Sequence, residues 1–200
     1  MPKRVDRNER RALIADALMR VAAARGLDEA SLRHVAAEAG VSSGMVQHYF
    51  STKDEMMRFA LEVVRDHASE RLAVAAAALD QPPTPRTLVR TLLVHLLPLD
   101  EPQRADGRVA LAFLAYAAVR PDLAASLRTD NARLRAFFAE QINAQFDVTG
   151  NPRSVEPSHA ATALLALVEG LGIYLLNGHL PAESALAIID TQLGLLFDPA

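Results

Sequence analysis

One stretch near the start of the chain constrains the fold more than any other part of the sequence. Residues 31–53 read SLRHVAAEAGVSSGMVQHYFSTK, and the apolar residues of its first half recur at the spacing of a helix with one buried side. Gly40 supplies the permissive backbone that ends this helix. Ser42 can accept a hydrogen bond at the start of a second helix, which Phe50 anchors. The stretch therefore predicts two short helices joined by a tight turn, with too little apolar surface to fold alone.

The size of the second helix points to a kind of partner. It spans less than two turns, which suits a helix that lies in the major groove of DNA. The run AAEAGVS at 36–42, followed by HYF at 48–50 and by Lys53, closely resembles the helix-turn-helix of TetR-family transcriptional regulators. In that family the pattern lies near the N-terminus, and an all-helical ligand-binding and dimerisation domain follows it. The strong match covers residues 10–65, and the C-terminal part is similar in style to the BetI-like subgroup.

This resemblance implies an all-α fold of about nine helices. Residues 1–55 would form a three-helix helix-turn-helix domain, and residues 80–200 a ligand-binding and dimerisation domain. Thr52 and Glu55 fit a capping box, so a long linking helix is predicted from Thr52 to about Leu79.

The remainder of the chain reads as helices separated by loops. Thr84 followed by Pro85 matches a helix start. The segment 98–107, rich in Asp, Pro and Arg, predicts a loop, and the almost wholly apolar segment 109–119 predicts a helix buried on all sides. Further predictions are a long amphipathic helix from Pro121, an exposed loop over 147–157, and two apolar helices over 158–177 and 182–197.

The charge distribution gives mild support to a DNA-binding N-terminal part. The net charge is −3, but residues 1–60 hold ten Lys/Arg and eight Asp/Glu, which leaves eleven and sixteen for the rest. Repulsion from phosphates would turn the acidic part away from the duplex. The polar, basic segment 1–8 predicts a flexible arm, whose Lys3, Arg4 and Arg7 contact DNA or simply stay solvated. By resemblance, Arg10 and Arg11 are further phosphate contacts.

The roles of individual residues follow from the family pattern, position by position. Family members usually carry tyrosine where this chain has Gln47, so one phosphate contact is missing or has become a base contact. Glutamine can pair with adenine and arginine with guanine, while methionine can contact a thymine methyl group. The resemblance implies base-edge contacts from Arg33, Ser43, Met45, Gln47 and His48, and phosphate contacts from Tyr49 and Lys53.

The resemblance also implies a small-molecule inducer, a palindromic double-stranded operator and a homodimer. The two C-terminal helices, 158–177 and 182–197, carry more apolar surface than one small core needs, which favours a four-helix dimer interface. Completion of the monomer core is the alternative use of that surface. The inducer stays unidentified, because the chain has no tryptophan and shows no aromatic cage. Candidate ligand contacts are His95, Tyr116, Gln141, Glu169, Tyr174 and Asn177.

Several other classes of protein fit the sequence poorly. The chain has no cysteine, and its six histidines form no i, i+4 pair, so no metal or cofactor is expected. We expect a cytoplasmic protein with no membrane span, because no signal peptide is visible and Glu169 interrupts the apolar run 160–176. The run GVSSG at 40–44 fits the nucleophile elbow of serine hydrolases, but nothing strand-like precedes Ser42. A helical interaction module without DNA binding remains a second alternative.

Overall fold

The computed structural model describes residues 7–26, 30–79, 82–149 and 155–198. Within these ranges the chain forms nine α-helices and no strand, which confirms the predicted all-α class. The helices are α1 (Arg7–Arg25), α2 (Leu32–Ala39), α3 (Ser43–Tyr49), α4 (Lys53–Ala77), α5 (Pro85–His95), α6 (Glu101–Ala118), α7 (Pro121–Thr149), α8 (Pro157–Leu176) and α9 (Ala182–Phe197).

Local sequence signals set several of the helix starts. The Thr84 hydroxyl accepts the N–H of Thr87 at 3.1 Å, and Pro85 is the first residue of α5. The Glu156 carboxylate accepts the N–H of His159 at 2.9 Å before α8. Each cap satisfies one of the N–H groups that a helix start leaves without an internal partner.

The described residues divide into two compact units. The first contains the residues up to His67 together with Arg104–Leu123, and the second contains Ala68–Gln103 and the residues from Ala124 onward. Most of α6 thus belongs with the N-terminal helices. The functional assignment of residues 1–55 to DNA binding and of 80–200 to ligand binding and dimerisation stays a prediction.

In the first unit, α1 lies against α2 and α2 lies against α3. The apolar face of α1, with Ile14, Leu18 and Val21, is buried. Burial of this much aliphatic and aromatic surface is the main stabilising contribution for so small a unit. Its fully buried large side chains include Ile14, Leu18, Phe50, Met56, Met57 and Phe113.

The second unit has a core of its own, built by α5, α7, α8 and α9. Helix α5 lies against both α8 and α9, and α8 lies against α9. Because each helix contributes one apolar stripe, the four stripes meet in one continuous cluster. Its members include Val89, Leu93, Phe138, Ile142, Phe146, Leu164, Val168, Leu171, Leu175, Ile189, Leu193 and Phe197.

The predicted loop at 98–107 is wrong, because α6 begins at Glu101. The Asp100 carboxylate accepts the N–H of Gln103 at 2.7 Å. In return, the Gln103 side-chain oxygen accepts the N–H of Leu99 at 2.8 Å and that of Asp100 at 3.1 Å. This reciprocal capping starts a helix within a segment whose Asp, Pro and Arg content is typical of loops.

The segment 109–119 is buried on one side only, contrary to the prediction. Val109, Phe113 and Ala117 are buried, and their spacing of four residues places them on one helix face. Leu114 is 40% exposed and Val119 is 77% exposed. The almost wholly apolar composition of this segment therefore did not mean that every side of the helix is buried.

Two predicted chain boundaries also move. Helix α1 begins at Arg7, so the arm ends earlier than expected; residues 1–6, with Lys3 and Arg4, lie outside the described residues. Helix α7 continues through Asp147 to Thr149, although a loop was predicted from Asp147. No glycine or proline interrupts this last turn, and Asn143 Nδ2 donates to Asp147 Oδ2 at 3.2 Å. The predicted loop residues 150–154 lie outside the described part.

Helix α8 is long and apolar enough to cross a membrane, judged by length and composition alone. However, its buried residues Leu164, Val168 and Leu171 belong to the core of the second unit. We therefore interpret α8 as a core helix of a folded unit.

Candidate nucleic-acid interface

The turn between α2 and α3 depends on one left-handed glycine. Gly40 has φ of 65°, and its N–H points to the carbonyl oxygens of Ala36 and Ala37 at the end of α2. The N–H of Val41 donates to the Ala36 oxygen at 3.0 Å. Side-chain-bearing residues rarely adopt this backbone conformation, so glycine is required to reverse the chain within so few residues.

Helix α3 starts at a serine cap and ends on a buried aromatic residue. The Ser42 hydroxyl accepts the N–H of Met45 at 3.1 Å. Eight residues after Ser42, the N–H of Phe50 donates to the Val46 oxygen at 2.9 Å, which closes the last turn. Ser42 thus acts as a helix cap that follows a helix and a turn, which removes the structural context that a nucleophile elbow needs.

Burial decides which side of α3 faces outward. Val46 and Phe50 of this segment are completely buried, and so is Val35 of α2. The other positions of α3 are turned away from these two anchors to different extents. Ser43, Gln47 and His48 are exposed, and Met45 and Tyr49 are half-buried.

Two further predicted positions lie beside α3. Arg33 on α2 is exposed. Lys53 is the first residue of α4 and is half-buried. The Thr52 hydroxyl accepts the N–H of Glu55 at 3.1 Å, and the Glu55 carboxylate accepts the N–H of Ser51 at 2.9 Å. The predicted capping box is therefore present and fixes where α4 begins.

Arg11 occupies an environment that the sequence did not indicate. Its guanidinium carbon lies 4.6 Å from the ring centroid of Phe59 and 5.2 Å from that of Phe50. Contacts of this kind between a cation and aromatic rings are favourable and hold the guanidinium in place. Arg11 thus stacks on the anchor of α3, whereas its predicted phosphate contact stays untested.

Family models match both units of this helical chain. The model for bacterial regulatory proteins of the tetR family matches residues 14–58, which contain α2 and α3. The model for the C-terminal domain of BetI-type transcriptional repressors matches residues 85–198, more than half of the chain. The chain belongs to the TetR family of transcriptional regulators.

Individual relatives agree with this TetR-family assignment. The regulator PksA of Bacillus subtilis (strain 168) is 37% identical over 123 residues, which cover 62% of this chain and only 58% of PksA. The regulator BetI of Burkholderia mallei (strain NCTC 10229) is 30% identical over 202 residues, covering 100% of this chain and 99% of BetI. All these relatives are transcriptional regulators, and the protein is not an enzyme.

A solved structure supports the TetR fold over the same extent. A transcriptional regulator from Rhodococcus sp. Rha1 is 34% identical, with a TM-score of 0.81 over 94% of this chain and 96% of that chain. The helix-turn-helix and the ligand-binding domain of this TetR-family regulator thus follow from family membership.

The predicted ligand contacts of the TetR-family chain lie in different environments. His95 is half-buried, and its Nδ1 lies 2.8 Å from the Thr91 carbonyl oxygen. Gln141 is half-buried, whereas Glu169, Tyr174 and Asn177 are exposed. The ligand roles of these five residues stay predictions.

Tyr116, also predicted to contact ligand, belongs to the first unit of the TetR-family chain. Its hydroxyl donates a hydrogen bond to Asp54 Oδ1 at 2.5 Å. Removal from water raises the pKa of Tyr116 above its usual value, and the hydrogen bond to Asp54 raises it further. No sequence signal indicated this contact, since the two residues are 62 positions apart.

Proposed function

We propose that this protein is a ligand-responsive repressor that binds a palindromic operator as a homodimer. The single observation that carries this proposal is the outward row on α3. Ser43, Gln47 and His48 are exposed on a short capped helix whose Val46 is fully buried. A side chain that is neither part of the core nor part of a cap is free to contact base edges in a major groove.

Lys53 supports the same proposal from the adjacent helix. It is the first residue of α4, where the N-terminal end of the helix carries a partial positive charge. An ammonium group at such an end suits a backbone phosphate. We therefore assign base contacts to Arg33, Ser43, Met45, Gln47 and His48, and phosphate contacts to Tyr49 and Lys53.

Apolar surface on the last two helices supports a dimer. Ile173 is 38% and Tyr174 52% exposed on α8, and Leu195 is 68% exposed on α9. Pairing α8 and α9 with their symmetry mates would cover this surface in a four-helix interface. A twofold dimer presents two copies of α3, which matches a palindrome whose half-sites lie about one helical turn, roughly 34–36 Å, apart.

The ligand would act by preferring one of two states of this dimer. An inducer that binds the DNA-free state more tightly lowers operator affinity, and the operator lowers inducer affinity by the same factor. We propose a cytoplasmic location, where both operator and inducer are available, and leave the chemical identity of the inducer open.

The first experiment selects binding sites from genomic DNA. The purified protein is incubated with sheared DNA of its source at moderate salt, and the retained fragments are sequenced. Enrichment of one palindrome is the expected result, and its neighbouring genes suggest which small molecules to test for release. A confirmed dimer that enriches no sequence contradicts the proposal and favours a helical interaction module without DNA binding.

A further inference from the structure

Four side chains of the first unit meet where the end of α6 contacts the start of α4. The Tyr116 hydroxyl donates to Asp54 Oδ1 at 2.5 Å. Asp54 follows Lys53 directly at the first turn of α4. The Lys53 ammonium lies 5.7 Å from the centroid of the Tyr116 ring, within the range of a cation–π contact. Tyr116 thus contacts both of the first two residues of α4.

Arg120 contacts both the ring and the backbone of Tyr116. Its guanidinium carbon lies 3.6 Å from the Tyr116 ring centroid, and its Nη1 donates to the Tyr116 carbonyl oxygen at 2.9 Å. Because Arg120 engages both the ring and the backbone of Tyr116, the ring has little freedom to rotate. The hydroxyl is therefore held towards Asp54.

The surroundings of the Tyr116 hydroxyl favour its protonated form. Removal from water and the Asp54 carboxylate both raise the pKa of Tyr116 above its usual value. A protonated phenol donates to a carboxylate, and such hydrogen bonds to a charged acceptor are stronger than neutral ones. Asp54 thus accepts its hydrogen bond from a side chain of α6.

We propose that Tyr116 is a positioning residue for DNA binding, which holds Asp54 away from the phosphate contact of Lys53. This inference rests on the proposed function, in which Lys53 binds a backbone phosphate. The carboxylate of Asp54 is next to that contact in sequence and carries the wrong charge for it. A carboxylate released from Tyr116 would attract the Lys53 ammonium and draw it away from the phosphate, so its effect on DNA binding acts through Lys53.

The ring of Tyr116 contributes a second effect on Lys53. A lysine side chain has a flexible four-carbon stem and loses conformational entropy when its ammonium is fixed. Contact with the Tyr116 ring restricts the stem before DNA arrives, so less entropy is lost on binding. The Tyr116 hydroxyl thus acts on Lys53 through Asp54, and the Tyr116 ring acts on it directly by restricting its side chain.

The test measures binding to a 30-base-pair duplex of random sequence as well as to the selected operator, because a phosphate contact does not depend on sequence. Tyr116→Phe removes only the hydroxyl and keeps the ring with both of its cation contacts. We expect affinity for both duplexes to fall roughly threefold to tenfold, because the contact between Lys53 and the phosphate is weakened but not removed. In a Lys53→Ala background, the same change should have no further effect.

A rescue experiment separates the released charge from a general loss of structure. Asp54→Asn neutralises the carboxylate and should restore the binding of Tyr116→Phe. The matched control is Asp66→Asn, which removes an equal charge from an exposed position on the same helix and should not restore it. A structural role for Tyr116 would give no rescue by either substitution.

The outcomes distinguish this inference from the function on which it rests. If the parent protein binds neither duplex, or if Lys53→Ala binds as tightly as the parent, the proposed function of Lys53 fails. If Lys53→Ala weakens binding but Tyr116→Phe does not, the positioning role alone is overturned. It is equally overturned if the effects of Tyr116→Phe and Lys53→Ala multiply in the double variant.

Discussion

Gln47 and His48 are adjacent in sequence, and both face away from the core that Val46 occupies. The ring of His48 lies edge-on to that of Tyr49, with centroids 5.2 Å apart. Gln47 is the residue at which this chain departs from the usual family pattern. An exposed amide at this position can make two hydrogen bonds to an adenine, whereas a tyrosine cannot.

Substitution of these two residues should therefore change which DNA is bound more than how tightly DNA is bound. We expect Gln47→Ala and His48→Ala each to reduce discrimination between the operator and single-base variants by about 1–3 kcal/mol. Affinity for random-sequence DNA should hardly change. Competition binding at fixed salt measures both quantities, and equal losses on operator and random DNA would refute the base contacts.

At the scale of the element, the sequence predicts those features that are set by near neighbours. The bounds of α3 and the start of α4 depend on Gly40, Ser42 and Thr52, which act within four residues of themselves. The start of α6 depends on an equally local capping interaction between Asp100 and Gln103, but the Asp, Pro and Arg content of this segment led to the prediction of a loop. The contact between Tyr116 and Asp54 joins distant parts of the chain, and no local pattern predicts such a meeting.

Gly40 offers a test of the turn. Gly40→Ala should destabilise the protein by about 1–2 kcal/mol, because alanine is strained at positive φ even though a Cβ atom would meet no other atom there. Gly44→Ala is the control within the neighbouring helix, where a Cβ atom would lie 3.9 Å from the Ser42 hydroxyl oxygen. It should be neutral or stabilise by about 0.5–1 kcal/mol. Urea unfolding measures both, and equal effects would contradict the role of the left-handed turn.

An ion pair joins α5 to α9 in the second unit. Arg90 donates from Nε to Asp190 Oδ1 at 2.5 Å and from Nη2 to Oδ2 at 2.9 Å. The hydrogen bonds from Arg90 lower the pKa of Asp190 below its usual value. Both side chains are 47% exposed, so solvent weakens the pair.

Asp190→Asn should cost about 0.5–1 kcal/mol of stability at neutral pH. Since the pKa is lowered by folding, this contribution is present above the unfolded pKa and is lost as pH falls through the folded pKa. The difference between parent and variant should be constant from about pH 5 to 8 and shrink below about pH 4. Urea unfolding across this range measures it, and a difference that grows on acidification would exclude the ion pair as its source.

At the scale of the whole molecule, exposed apolar residues are found on more helices than the dimer proposal uses. Leu195 of α9 is 68% exposed and Val148 of α7 is 72% exposed. Exposure alone does not distinguish an interface residue from an ordinary surface residue. The distinction comes from position, because Leu195 lies on a helix proposed to pair with its symmetry mate.

These two residues make a matched test of the dimer. Leu195→Arg would place a charge in the proposed four-helix interface and should weaken the dimer by roughly tenfold or more. Val148→Arg makes a comparable change outside that interface and should leave the dimer intact. Sedimentation at several concentrations measures the dimer constant, and a dimer that tolerates Leu195→Arg would place the interface elsewhere.

Helix α3 has a consequence for how such a regulator can change over time. Its hold on the rest of the first unit comes from Val46 and from the neighbouring Phe50, while Ser43, Gln47 and His48 contribute nothing to the core. Substitutions at these outward positions therefore carry little stability cost. A duplicated gene could come to recognise a different operator sequence through a few substitutions on this face, while the ligand-binding domain stays unchanged.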